Sequence, residues 1–116
     1  MKNSLNIHSV NGVNAIAQGD NASTFIIELQ DENRLILPYL NGQTAFIYLL
    51  DKEGYSVEKY ETVIFDSRVE FNIPTRIPHG KYPIEIVVEY DNFTYVFPSS
   101  ESFSIYVHRS TDKGSA

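Results

Sequence analysis

Four segments of the chain alternate regularly between apolar and polar residues. They are residues 25–29, 69–73, 82–90 and 103–107. Because successive side chains of a β-strand point to opposite faces, this alternation predicts four strands with one face toward a core and one toward solvent. Pro83 has no backbone N–H to donate, so we expect its strand to lie at a sheet edge or to bend at that residue.

Turn-forming residues separate these strands and delimit further ones. Gly54 follows Asp51-Lys52-Glu53, between an apolar run at 44–50 and a strand expected near 57–65. Glycine readily adopts the positive φ that such a hairpin loop needs. Asp91-Asn92 predicts a second tight hairpin. About eight strands at intervals of about 8–12 residues, with no helical periodicity, predict an all-β sandwich or barrel.

The length and composition predict a single domain without disulfides. The chain has 116 residues and no cysteine, which excludes a disulfide framework and a thiolate metal site. We expect an N-terminal arm over residues 1–12, the β-domain over 13–109 and a disordered polar tail over 110–116.

Charge and hydropathy exclude two classes of partner. There are 9 Lys and Arg against 15 Asp and Glu, which gives 9 − 15 = −6, and this argues against binding to a nucleic-acid backbone. No apolar run approaches the ~20 residues that span a bilayer, and the first residues do not resemble a secretory signal. We therefore expect a soluble, non-exported protein that contacts neither nucleic acid nor membrane.

No motif for catalysis, a cofactor or a metal is present in the sequence. His8, His79 and His108 are far apart and lack the spacing of metal ligands. Carboxylates in the predicted turns could bind calcium, although Asx-turns are the favoured interpretation. These turn carboxylates are Asp20, Asp31, Glu32, Asp51, Glu53 and Asp91.

Tyrosine is abundant, with 8 residues, and could form a platform for stacking on sugars or docking a protein. At least half of the tyrosines are expected to cap the core instead. By alternation, Tyr106 lies on the face of its strand that points away from the core. Ile26 and Val87 lie on faces that are otherwise polar. We predict that a neighbouring subunit covers part of this surface, with Ile26, Tyr95 and Tyr106 as interface candidates.

The order of motifs along residues 13–108 resembles a known family. The motifs are Gln18-Gly19-Asp20-Asn21, Thr24-Phe25-Ile26-Ile27-Glu28-Leu29, Leu40-Asn41-Gly42-Gln43-Thr44-Ala45-Phe46, Leu50-Asp51-Lys52-Glu53-Gly54, Arg68-Val69-Glu70-Phe71-Asn72-Ile73-Pro74, His79-Gly80-Lys81-Tyr82-Pro83-Ile84-Glu85 and Val96-Phe97-Pro98-Ser99-Ser100. In this order they resemble the N-terminal domain of phage baseplate upper proteins, from tailed phages and prophages of Gram-positive bacteria. Residues 65–68 depart from the family, which usually has a glycine-containing hairpin there, and residues 34–39 are more apolar than its polar turn.

The resemblance implies an immunoglobulin-like antiparallel β-sandwich of about eight strands with a structural role. Such a virion protein docks onto the phage tail hub, contacts the distal tail protein and helps to present receptor-binding proteins. It is made in the bacterial host cytoplasm, resides in the tail baseplate, can associate with copies of itself, and needs no cofactor and no enzymatic step. The alternative is an immunoglobulin-like carbohydrate-binding or adhesive module.

Overall fold

The computed structural model describes residues 5–98 and 103–109, which form nine β-strands in two sheets. The strands are β1 (Asn6–Ser9), β2 (Ala15–Ala17), β3 (Phe25–Gln30), β4 (Thr44–Leu50), β5 (Ser56–Val63), β6 (Arg68–Phe71), β7 (Gly80–Tyr90), β8 (Phe93–Phe97) and β9 (Ser104–His108). One turn of 3-10 helix at Pro38–Leu40 precedes β4. Within the described ranges, no helix has the length and apolar character needed to cross a membrane.

The strand order is that of an immunoglobulin-like sandwich, as predicted. One sheet has the order β1-β3-β6, and the other has the order β2-β9-β7-β4-β5, with β8 also paired to β7. In immunoglobulin terms, strands A, B and E form one sheet, and G, F, C and C′ form the other. β8 and β9 pair with successive halves of β7 and together occupy the place of strand G. The pairs are antiparallel except for β2 with β9, which run parallel.

The core lies between the two sheets and contains the apolar positions of the alternating segments. Inward residues of β3, β6, β7 and β9 are buried, apart from the half-buried Tyr90, whereas their polar neighbours, apart from the buried Gln30, are half-buried or exposed. The ring of Phe25 stacks on that of Phe71 across β3 and β6, with centroids 5.2 Å apart. The predicted core-facing and solvent-facing sides of these four strands are therefore confirmed.

Pro83 lies in a central strand, so the prediction of an edge position is wrong. β7 pairs with β4 on one side and with β8 and β9 on the other. The Ile84 N–H donates to the Phe103 carbonyl oxygen at 2.9 Å, so by alternation the Pro83 nitrogen faces β4. Pairing with β4 ends at Ile84 and Leu49, and the missing N–H therefore interrupts no ladder.

Two short strands near the start of the chain take part in the sandwich, and the first lies within the arm expected over residues 1–12. Residues 6–9 form β1 and pair with β3, and β2 pairs with β9 in the other sheet. These strands are 4 and 3 residues long, too short to show an alternation pattern. The predicted tail at 110–116 lies outside the described residues.

Two hairpin turns adopt left-handed backbone conformations without glycine. Asp91 and Asn92 have φ of 53° and 68° between β7 and β8, as a type I′ turn requires. Asp66 and Ser67 have φ of 55° and 60° before β6. The second turn lies within residues 65–68, where the sequence departs from the glycine-containing hairpin usual in baseplate upper proteins.

Hydrogen bonds to Ser67 hold this second turn in place. The buried Ser67 donates its N–H to Asn41 Oδ1 at 2.7 Å and its hydroxyl to the Leu29 carbonyl oxygen at 3.0 Å. The hydroxyl also accepts the Leu37 N–H at 2.9 Å. Satisfied polar groups at a buried position offset the cost of the left-handed backbone.

Candidate interaction surfaces

The three predicted interface residues lie on three different surfaces. Ile26 is half-buried on the outer face of the three-stranded sheet, opposite Glu70. Tyr106 is 39% exposed on the outer face of the six-stranded sheet, opposite Lys81. Tyr95 is half-buried beside Phe97 at one end of the sandwich. The structure therefore does not bring them together into one patch.

Tyr95 belongs to a groove at one end of the sandwich, which we call the end groove. One wall is the loop from Asp31 to Leu37, between β3 and the 3-10 helix. Asp31 Oδ1 accepts the N–H groups of Asn33 and Leu35 at 2.7 and 3.0 Å, which closes the loop into an Asx-turn. The closed loop leaves Leu35 and Ile36 exposed, while Leu37 is buried in the core.

The opposite wall of the end groove is the β7–β8 hairpin. Its type I′ turn leads into Phe93, whose ring is exposed, and Phe93, Thr94 and Tyr95 all line the groove. Leu5 completes the lining beside the loop, and the volume of this open groove is about 660 Å³. The volume lies in the range of small-molecule and peptide-side-chain sites.

Three tyrosine rings cluster at the end groove, and two of them, Tyr39 and Tyr95, line it. The ring of Tyr39 lies 5.5 Å from that of Tyr90 and 6.2 Å from that of Tyr95, measured between centroids. A hydrogen bond with Tyr95, and secondarily burial and the nearby Asp31 charge, raise the pKa of Tyr39 to about 12. Tyr39 is therefore neutral at physiological pH and can donate and accept hydrogen bonds next to the Asp31 and Glu32 carboxylates.

A second apolar surface lies on the outer face of the six-stranded sheet, and we call it the outer sheet face. The register of β4, β7 and β8 places Phe46, Val87 and Val96 in one cross-strand row. All three point away from the core, and each is half-buried. Val87 was one of the residues that suggested a covered outer surface, and its neighbours make that surface continuous across three strands.

Lys59 of β5 extends over the aromatic part of this outer sheet face. Its Nζ lies 4.8 Å from the ring centroid of Phe46 and 5.8 Å from that of Tyr48. A lysine over an aromatic ring gains a cation–π attraction and shields part of the ring from water. The surface is therefore amphipathic, which suits protein docking.

The turn carboxylates act as Asx-turn acceptors, which confirms that interpretation for Asp20, Asp31 and Asp51. Asp20 Oδ1 accepts the N–H groups of Ala22 and Ser23, and Asp20 Oδ2 accepts the Ser23 hydroxyl at 2.6 Å. These bonds, led by the one from Ser23 Oγ, lower the pKa of Asp20. Among the described residues, no three or more His, Asp or Glu side chains form a group suited to a metal ion.

Sequence reasoning missed the outward direction of Phe46 and Tyr48. The run at 44–50 is apolar at nearly every position, so its pattern alone did not indicate which side faces the core. Ala45, Ile47 and Leu49 are buried in the core. The aliphatic residues at these alternate positions therefore face inward, and Phe46 and Tyr48 face outward. The apolar character of residues 34–39 was a usable signal for the end groove.

Comparison with solved structures shows a weak likeness in fold. A crystal structure of the CARDB domain of a Pyrococcus furiosus protein, in complex with di-metal ions, is 12% identical to this chain with a TM-score of 0.47. The match covers 94% of each chain. No protein-family model matches the sequence, and no curated protein matches it. The immunoglobulin-like assignment rests on the strand order of the molecule itself.

Proposed function

We propose that this chain is a structural module of a phage tail baseplate that docks onto other tail proteins through its outer sheet face. The observation that carries the proposal is the half-buried row of Phe46, Val87 and Val96 on a side of the sheet that faces away from the core. Contiguous apolar surface on a soluble domain marks interaction sites. The motif order that resembles baseplate upper proteins supplies the class of partner.

Docking of this kind requires complementary surfaces and no chemical step. The outer sheet face presents apolar side chains at its centre, with Lys59, Glu61 and Glu85 around them. An apolar centre with a charged rim is the usual anatomy of a protein interface. The expected partners are a distal tail protein and a receptor-binding protein, in the virion.

Co-purification with the products of the neighbouring genes tests the proposal. We expect the full chain to form a stable complex with a distal tail protein encoded beside it, measured by light scattering after gel filtration. Val87→Lys should abolish the complex because it places a charge in the apolar row. Ile26→Lys is the matched control on the opposite sheet and should leave the complex intact.

Two outcomes would count against this function in different ways. Flanking genes without tail proteins, or no complex with their products, would refute the baseplate role. A complex disrupted by Ile26→Lys but not by Val87→Lys would keep the role and move the docking face to the three-stranded sheet.

Carbohydrate binding is the second candidate, and the end groove favours it. Tyrosine rings and carboxylates that line one concave site are the groups that stack on sugars and accept their hydroxyl hydrogens. Titration with cell-wall oligosaccharides, followed by amide chemical shifts, tests it directly. Saturable shifts at Tyr39, Tyr95 and Phe93 that vanish in Tyr39→Ala would support an adhesive module over the scaffold.

A further inference from the structure

The free edge of β5 is an unusual feature of the six-stranded sheet. β5 is 8 residues long and ends the strand order of its sheet. Natural sheets keep such edges short or protect them, since the outward backbone groups can pair with another strand. In the described parts of the chain, no backbone hydrogen bond occupies the side of β5 away from β4.

The direction of the backbone groups along β5 follows from one hydrogen bond. The Ile64 N–H donates to the Gln43 carbonyl oxygen of the segment leading into β4 at 2.9 Å. Because backbone groups of a strand alternate in direction, the N–H and C=O of Lys59, Glu61 and Val63 point to the free edge. An approaching strand would therefore pair with these odd-numbered residues.

Exposed apolar side chains flank both ends of this edge. Tyr55 is 72% exposed before β5, and Val63 and Phe65 are 60% and 79% exposed at its end. Val57 is also exposed. All four are large apolar residues that remain exposed in the described chain, and their positions favour a partner along the strand.

We propose that β5 pairs antiparallel with β5 of a second copy about a two-fold axis at Tyr60. A two-fold axis at Lys59 would oppose two lysines, and one at Glu61 would oppose two glutamates. An axis at Tyr60 instead places Lys59 opposite Glu61 of the second copy, twice. A two-fold axis placed between two residues would set outward-pointing backbone groups of one copy opposite inward-pointing groups of the other. The hydrogen bonds of an antiparallel ladder could not form in that register.

The apolar residues fall into the same register. With the axis at Tyr60, Val57, the residue at the bulge where the β4–β5 pairing shifts, comes beside Val63 of the second copy, and Tyr55 lies toward its Phe65. Opposite charges and apolar pairs directly across an antiparallel ladder are both stabilising. One axis position therefore matches the hydrogen-bond direction, the charges and the exposed apolar side chains of β5.

The dimer does not rest on the proposed function, although it would extend the outer sheet face. The two-fold axis runs through the sheet, so the two six-stranded sheets join into one and their outer faces lie side by side. Failure of the dimer would leave the baseplate role untouched, because the test uses the chain alone.

Sedimentation velocity of the full chain from micromolar to millimolar concentration tests the proposal. We expect a reversible monomer–dimer equilibrium that weakens at high salt. Lys59→Glu and Glu61→Lys should each raise the dissociation constant by at least about tenfold, since each opposes two like-charge pairs. Glu70→Lys, an equal change of charge on the other sheet, is the matched control and should leave the constant unchanged.

Charge exchange identifies the register. An equimolar mixture of Lys59→Glu with Glu61→Lys should form a heterodimer, and the double variant K59E/E61K should dimerise like the original chain. Val63→Pro removes an outward N–H and the valine side chain that meets Val57 of the second copy, so it should weaken the dimer without unfolding the monomer. A chain that remains monomeric at millimolar concentration, or single variants that dimerise as tightly as the original chain, would overturn the proposal.

Discussion

Phe71 gives the sharpest test of strand register at the scale of one residue. Its buried ring lies between Phe25, with centroids 5.2 Å apart, and Tyr60, with centroids 5.9 Å apart. Phe71→Ala should lower the free energy of unfolding by about 3–5 kcal/mol, because it removes an aromatic ring from the core. The adjacent Glu70 is exposed, and Glu70→Ala should change it by less than about 0.5 kcal/mol.

Urea unfolding of both variants measures this difference. The two residues are neighbours on one strand, so differences in strand propensity or in the unfolded chain affect them similarly. A larger loss in Glu70→Ala than in Phe71→Ala would mean that β6 is shifted by one residue, which exchanges its two faces.

The raised pKa of Tyr39 predicts that the folded state loses stability at alkaline pH. Its pKa is raised to about 12, against about 10 in an unfolded chain. Between these values the folded state holds a proton that the unfolded state has released. The stabilisation is therefore complete below about pH 10 and is lost as the pH rises toward 12.

Urea unfolding at neutral pH and at several values between about pH 10 and 12 checks this dependence. Tyr39→Phe should make the decline less steep. Part of it should remain, because burial raises the pKa of Tyr60 and of Tyr82. A decline as steep in Tyr39→Phe as in the original chain would show that Tyr39 is not responsible.

At the scale of one element, the β7–β8 hairpin depends on the left-handed backbone of its turn. Asn92 has φ of 68°, which asparagine tolerates and alanine does not. Asn92→Ala should lower the free energy of unfolding by about 1 kcal/mol, while Asn92→Gly should change it by less than about 0.5 kcal/mol. Equal losses in the two variants, measured by urea unfolding, would argue against a type I′ turn.

The strands could be predicted from the sequence where a run was long enough to show alternation. β6, β7 and β9 have the predicted faces, and Gly54 and Asp91-Asn92 form the predicted turns. β1 and β2 are held by their partners β3 and β9 rather than by a pattern of their own, so local sequence could not reveal them. The edge position predicted from Pro83 was wrong for the same reason. Whether its missing N–H disturbs the sheet depends on the neighbouring strands, which local sequence does not reveal.

The interaction surfaces could be predicted only in part, because they combine residues that are distant in sequence. Tyr95 was singled out, but its neighbours Tyr39 and Tyr90 come from other segments. Exposure of a single residue follows from alternation, whereas the row of Phe46, Val87 and Val96 depends on the register of three strands. Register is a property of pairing, which no single segment encodes.

For the whole molecule, the order of the sheets predicts where stability is concentrated. β7 has partners on both sides, and its neighbour β4 lies between β7 and β5. Inward residues of both strands, such as Ile47 and Ile86, are fully buried. β2 has 3 residues and pairs with β9 at the other end of the same sheet.

Native-state hydrogen exchange should therefore be slowest at the amides of the β4–β7 ladder and much faster at β2. Ladder bonds between central strands open only with the whole domain, whereas a short edge strand can detach locally. The amides of Tyr60 and Thr62, which face β4, should exchange more slowly than those of Lys59 and Glu61 in dilute solution. Uniform protection along β5 at a concentration where the chain is monomeric would contradict the alternation from which its free edge was deduced.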